Sequence, residues 1–140
     1  MSGIGEAVYV YLQTVSEVTD LVSTRGYPGN LPKKPTLPAF TYAVISQASD
    51  ASLQGSTGYV ASRVQIDAYA AEDGDAAELA TQIRLAMLAQ PPPAMNGVEV
   101  DVVTKDGGFS RSEQPKDGSD AWRHRHSQDF RIGHEETIPS

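Results

Sequence analysis

Residues 122–136 read WRHRHSQDFRIGHEE and hold all three histidines of the chain together with Arg123, Arg125 and Arg131. If this segment is a strand, its side chains alternate faces, and His124 and His126 stand ~7 Å apart on one side, close enough to share a metal ion. A metal site needs further donors. His134 lies eight residues beyond His126, or ~27 Å along an extended chain. No other segment offers a third ligand. Two partly exposed histidines near a hairpin end, with Trp122 closing the core, are the less demanding reading. The alternate face carries Arg123, Arg125, Ser127, Asp129 and Arg131. A cationic stripe can meet phosphate. It can equally pair with a neighbouring strand, where Asp67 is available, or with the acidic face of a sister subunit. A paired or solvated face is the commoner outcome for such charges.

Other chemistry is sparse. Asp67, Glu72, Asp73 and Asp75 cluster in sequence, but a magnesium site needs oxygens that converge in space. A strand exit and a helix N-terminus explain the same carboxylates through the helix dipole. The stretch KDGGFS precedes no helix and lacks phosphate-loop spacing. No G-x-S-x-G elbow is present. The absence of cysteine excludes disulfides, zinc knuckles and thiol catalysis. The scattered tyrosines form no base-stacking platform. A net charge of −7 argues against a general nucleic-acid binder. It leaves open a local patch of Arg123, Arg125 and Arg131 with Arg111 and Lys116. The residues name no catalytic centre, cofactor or metal.

The elements that must position these groups follow from periodicity. Ile4, Val8, Tyr11, Leu12, Val15, Val18 and Val22 recur at three and four, predicting one amphipathic helix over roughly 4–22, stopped by Gly26 and Pro28. Residues 26–38, GYPGNLPKKPTLP, are an extended, Pro-rich connection. AFTYAVISQ, 39–47, is apolar on both faces and reads as a central strand. In YVASRVQIDAYA, 59–70, Val60, Val64, Ile66 and Ala68 alternate with Arg63, Gln65, Asp67 and Tyr69. The second helix opens at Asp75, with Glu78 completing a capping box. It buries Ala76, Leu79, Ala80, Ile83 and Met87 and ends before Pro91, Pro92 and Pro93. Val98, Val100 and Val102 mark a third strand and residues 121–134 a fourth. The polar stretch 105–120 is expected as a mobile loop at the hairpin tip, and 135–140 as a tail. The expectation is a single α+β domain over residues 1–140: a mostly antiparallel four-stranded sheet packed with two helices, ordered α-β-β-α-β-β, with long polar loops. The start lacks the basic n-region of a signal peptide, and no apolar run approaches ~18 residues, so a soluble protein made in a cytoplasm is expected.

Taken in order, these segments resemble the tail-completion, or tail-terminator, family of long-tailed bacteriophages and related gene-transfer particles, over roughly residues 4–136. The most specific part is RVQIDAYA, Arg63 to Ala70, running directly into the second helix. Tyr27–Pro28, Leu37–Pro38 and the DFRI ending, Asp129 to Ile132, support it. These are landmarks of fold. The polar stretch 105–120 and the exit QPPPAMNG depart from a compact member, both within connections. The resemblance implies a structural protein without enzymatic activity or cofactor. Its copies form a ring, usually a hexamer, on the head-proximal end of the tail tube in the virion. The ring ends tube growth and presents a surface to a head connector or stopper. DNA passes the bore without specific binding, and carboxylates such as Asp50, Asp101 or Asp106 would line it. Residues expected at contacts are Tyr27, Pro28, Arg63, Asp67, Arg111, Lys116, Arg123, Arg125 and Arg131. The competing reading is a small nucleic-acid-contacting module built on the arginine-rich strand.

Overall fold

The computed structural model describes residues 3–49, 59–113 and 123–135. Its elements are α1 (Ile4–Leu12), α2 (Ser16–Val22), β1 (Gly26–Pro28), β2 (Ala39–Ser49), β3 (Tyr59–Ala70), α3 (Asp73–Met87), β4 (Val100–Glu113) and β5 (Arg123–Glu135). The strands form one mixed sheet in the order β1-β2-β3-β5-β4. β1 runs parallel to β2, and the other pairs are antiparallel. The class is α+β as expected, but with five strands and three helices among the described residues instead of four and two.

The single N-terminal helix expected over 4–22 is broken. The Thr14 hydroxyl and amide both donate to the Tyr11 carbonyl, at 2.6 and 2.9 Å, and Val15 turns extended (φ −97, ψ 109) before α2 begins. A threonine bonding to local backbone competes with helix continuation. Ile4, Val8 and Leu12 of α1 and Val18 and Val22 of α2 remain buried in one cluster, so the apolar period runs through the break.

The Pro-rich connection 26–38 begins with a strand. Gly26, Tyr27 and Pro28 pair in register with Phe40, Thr41 and Tyr42. A Cβ at Gly26 would overlap the Phe40 ring and lie 2.7 Å from Tyr9 Cε1, so glycine is required for this close approach. β1 covers only the first part of β2, which is therefore not the central strand its composition suggested. Farther along, at a bulge between Val44 and Ser46, Val44 and Ile45 are 40% and 52% exposed.

The stretch 105–120, expected as a loop, is strand over 105–113; 114–120 lie outside the described residues. β5 supplies register partners along this length apart from a bulge at Asp106, which composition does not reveal. At Gly108 a Cβ would run into the Ser127 carbonyl oxygen. A bulge between Val100 and Val102 shifts the alternation, so Val103 is buried while Val102 faces solvent. The expected tail likewise begins one residue later, since Glu135 ends β5 and 136–140 lie outside the described residues.

α3 starts at Asp73, with Glu72 as the extended N-cap and no side-chain capping bond; Asp75 sits inside the first turn, so the expected capping box is absent. The acidic residues still favour the positive end of the helix dipole. The expected buried stripe is present, with Ala86 added.

One core unites the elements. Phe40, Val64, Ile66, Phe130 and Ile132 from the sheet pack with Val8, Leu12, Val18, Val22, Leu79, Ile83 and Met87 from the helices. The register puts these strand residues on one face, so the three helices share that face. Polar ties lock the layers. The Tyr11 hydroxyl donates to the Ala86 carbonyl at 2.7 Å, and Gln128 Nε2 donates to the Ala80 carbonyl at 2.9 Å. Burial raises the pKa of the Tyr11 hydroxyl. No helix among the described residues is long and apolar enough to cross a membrane.

Candidate assembly surface

β5 alternates as its sequence predicts. Gln128, Phe130, Ile132 and His134 turn to the helices; Arg123, Arg125, Asp129 and Arg131 turn to the opposite, open face. The fate of each side chain follows from its side.

On the open face, β3, β5 and β4 stand in register, with Asp67 across from Ser127 and Phe109, and Tyr69 across from Arg125 and Arg111. Arg125 Nη2 donates to Asp67 Oδ2 at 2.7 Å, and Gln65 Nε2 donates to the same carboxylate at 3.0 and 3.2 Å. Arg123 and Arg125 lie over the Tyr69 ring at 5.5 and 5.8 Å, and Arg111 and Arg125 over Phe109 at 5.6 and 5.5 Å. Stacked guanidiniums of this kind are held by the ring quadrupole and stay planar and oriented. Toward the other end of the same face, Arg63 pairs with Asp129 at 3.0 Å and Arg131 with Asp106 at 3.2 Å. The face is thus a ladder of paired charges, and none of the described helices covers it.

The structure brings Arg111, Arg123, Arg125 and Asp67 together at one end of this face and Arg63 and Arg131 at the other. Tyr27 and Pro28 stand apart on the β1 edge. Lys116, Trp122 and Asp50 lie outside the described residues. Phe109 was missed by sequence reasoning, hidden in a segment read as loop; it is 51% exposed in the middle of the arginines. The signal that could have found it is the S/R alternation around it, Phe109 and Arg111 on one side, Ser110 and Ser112 on the other.

On the helix face, His126 Nε2 is 2.9 Å from Asp73 Oδ1, and His124 Nδ1 is 3.9 Å from the same oxygen and 3.0 Å from Ser112 Oγ. The hydrogen bond from His126 holds the Asp73 carboxyl below its ordinary pKa, outweighing the opposing desolvation, with the charges of His126 and His124 adding to the effect. The sequence named Asp73 but had no means of bringing it to the histidines. Both imidazoles converge on a single oxygen and are occupied by hydrogen bonds. Among the described residues no three His, Asp or Glu side chains are arranged to hold a metal ion. The acidic cluster is also divided: Asp67 faces the open side, whereas Asp73 meets the histidines on the other. His134 is far away, 2.7 Å from Ser62 Oγ, which also accepts from Gln47 Nε2 at 2.9 Å. This resembles half of a nucleophilic pair, but Ser62 is wholly buried and reaches no cleft. A shallow groove of about 340 Å³ runs between α3 and β4, lined by Ala80, Thr81, Arg84, Lys105, Gly108 and His126, among others, and contains no nucleophile–base pair.

Comparison with known proteins agrees with a non-catalytic surface. No curated protein sequence matches the chain. Among solved structures, a chain from a structure described as "Virion of native gene transfer agent (GTA) particle" superposes with a TM-score of 0.65 at 20% identity, covering 94% of each chain. At that identity the likeness is one of fold. The sequence profile of the family described as "Tail completion protein gp17" matches residues 6–135. The chain therefore belongs to the tail completion protein gp17 family, structural proteins of the bacteriophage tail and virion that are not enzymes.

Proposed function

We propose that this chain is the ring component that caps the head-proximal end of a tail tube, ends its elongation and joins it to the head connector. The observation that carries this reading is the sheet itself. One face is consumed by the core, and the other, a ladder of paired charges and ring-stacked arginines, has no cover from the described helices in a protein of the tail completion family. A rigid, preformed polar face suits docking with little ordering cost. The solved neighbour of the same fold comes from a virion particle, which supports a place within an assembled tail. The partners would be further copies of itself, the tail tube protein and a connector or stopper. The net charge of −7 suits a bore through which DNA passes without being gripped. Asp101 is an exposed candidate for that lining, whereas Asp106 is engaged with Arg131.

The test is omission of this protein from an assembling particle. Electron microscopy should then show separate heads and tails of unregulated length, and adding purified protein should restore joined particles. Regular, joined tails in its absence would sink the reading. One observation favours a second reading: Arg111, Arg123 and Arg125 gather at one end of the open face, as a phosphate-contacting patch would. Filter binding across a salt series decides it. Tight binding that falls steeply with salt supports the nucleic-acid module, and its absence dismisses it.

A further inference from the structure

Two charged clusters sit at the same end of the sheet on opposite faces. On the open face are Arg111, Arg123 and Arg125 around Tyr69 and the exposed Phe109. Among the described residues the neighbouring carboxylate positions are Asp67, bonded to Arg125, and Glu113, opposite Arg123 in register, two against three arginines in a chain of net charge −7. On the helix face are Glu72, Asp73, Asp75 and Glu78, all exposed, at the start of α3; the first base along this helix is Arg84. The register fixes their common level. Tyr69, Arg125 and Arg111 form one rung, and Ala70, His124 and Ser112 the next. Ala70 leads directly into α3, and His126 on the helix face reaches Asp73. The two clusters are therefore back to back across the thickness of one sheet.

That placement has a consequence for a ring. A rotation that keeps this end of the molecule level carries the open face of one copy onto the helix face of the next, at matching height. Such a contact joins two different surfaces and closes on itself around an axis. We propose that the Arg111–Arg123–Arg125 ladder, with Phe109 at its centre, docks on the acidic start of α3 of a second copy of this chain. The inference rests on the ring reading and locates its subunit contact. Three guanidiniums meet four carboxylates, and the ring of Phe109 supplies the apolar anchor. Arginine and aromatic residues at the centre of a patch are the composition of interface cores. The guanidiniums already lie over the rings of Tyr69 and Phe109, so less side-chain freedom is lost on contact.

Paired charge reversal tests this. Arg111→Glu with Arg123→Glu reverses the open face while sparing the Arg125–Asp67 pair. Glu72→Lys with Asp75→Lys and Glu78→Lys reverses the helix face while sparing the Asp73–His126 bond, Glu72 making no side-chain capping bond. Circular dichroism checks the fold of each, and native mass measurement at low salt, alone and on purified tail tubes, counts the copies. Each reversed chain by itself should need about 100-fold more protein to associate than wild type. An equimolar mixture of the two should recover wild-type association, with both chains present in equal amounts, because each reversed face then meets its complement. Reversed chains that assemble alone as wild type does, or a mixture that stays monomeric, overturn the contact while leaving the ring reading standing. Wild-type protein that remains monomeric even on tail tubes overturns the ring reading and this contact together. If the Arg111→Glu, Arg123→Glu chain loses binding to duplex DNA but assembles normally, the patch serves nucleic acid and the contact is refuted.

Discussion

The helix face and the open face of this sheet are made by the same strands, one residue apart, and obey different physics. Phe130 and Asp129 are adjacent on β5. Phe130 is sealed among the helices, whereas Asp129 pairs with Arg63 across an interface still reached by water. Burial on the first side is non-directional and scales with the area removed from water. On the second side, energy comes from geometry and charge, is screened by solvent, and stays available to a partner. A sheet with helices on one side only can therefore separate stability from recognition along a single strand.

The largest expected effect is on the helix face. Phe130→Ala should cost about 3–5 kcal/mol, through lost burial and the cavity left behind, read as a lower urea midpoint with an unchanged slope. A loss below about 1 kcal/mol would mean the site collapses without penalty and the contrast between faces is weaker than stated.

The open face is not uniform, and its most buried pair should sharpen the comparison. Asp67→Ala removes the partner of Arg125, both side chains being largely shielded at 7% and 18% exposure. The expected cost is about 1–3 kcal/mol, because a desolvated guanidinium loses its carboxylate. Replacing Arg125 by Met in the same chain should recover part of it, and a double-mutant cycle measures the coupling. Strict additivity of the two substitutions would show that the pair does not interact.

Asp129→Ala stands lower. Its partner Arg63 is 40% exposed, so solvent screening limits the loss to about 0–1 kcal/mol. Placed beside Phe130→Ala, this gives the cleanest contrast between neighbours.

The smallest effect concerns Asp73, held below the ordinary aspartate range chiefly by its hydrogen bond to His126. An acid whose pKa is depressed by folding adds stability above its unfolded value, ~3.9, and loses it as pH falls through the folded value. Wild type should therefore be slightly more stable than Asp73→Asn at neutral pH, with the gap closing below about pH 4. A gap that persists undiminished in acid would contradict that assignment.

Legibility from sequence followed the same division. The faces of β3 and β5 were readable because alternation is a local property: a strand's period of two puts Val64, Ile66, Phe130 and Ile132 on one side whatever the neighbours are. The stripe of α3 was readable for the same reason with a different period. Three elements were not readable as they stand. The break at Thr14 leaves the apolar period intact, so periodicity has no means of registering it. β1 exists because Gly26 lets a backbone lie against the rings of Phe40 and Tyr9, residues distant in sequence. Residues 105–113 are polar and glycine-rich, yet are strand because β5 is there to pair with them.

What this sequence determined unaided is the class of its strongly periodic elements, the side on which the residues of β3 and β5 fall, and the lack of any motif for catalysis. Those are consequences of short-range periodicity and of residue chemistry. The tertiary structure alone decided which charges meet. It sent Asp67 to Arg125 and Asp73 to His126, though the two carboxylates lie six residues apart, and it gathered Arg111, Arg123 and Phe109 from two strands onto one end of one face. Partner choice at that range depends on strand order and register, which are set when the whole core closes and leave no mark on any local stretch of chain.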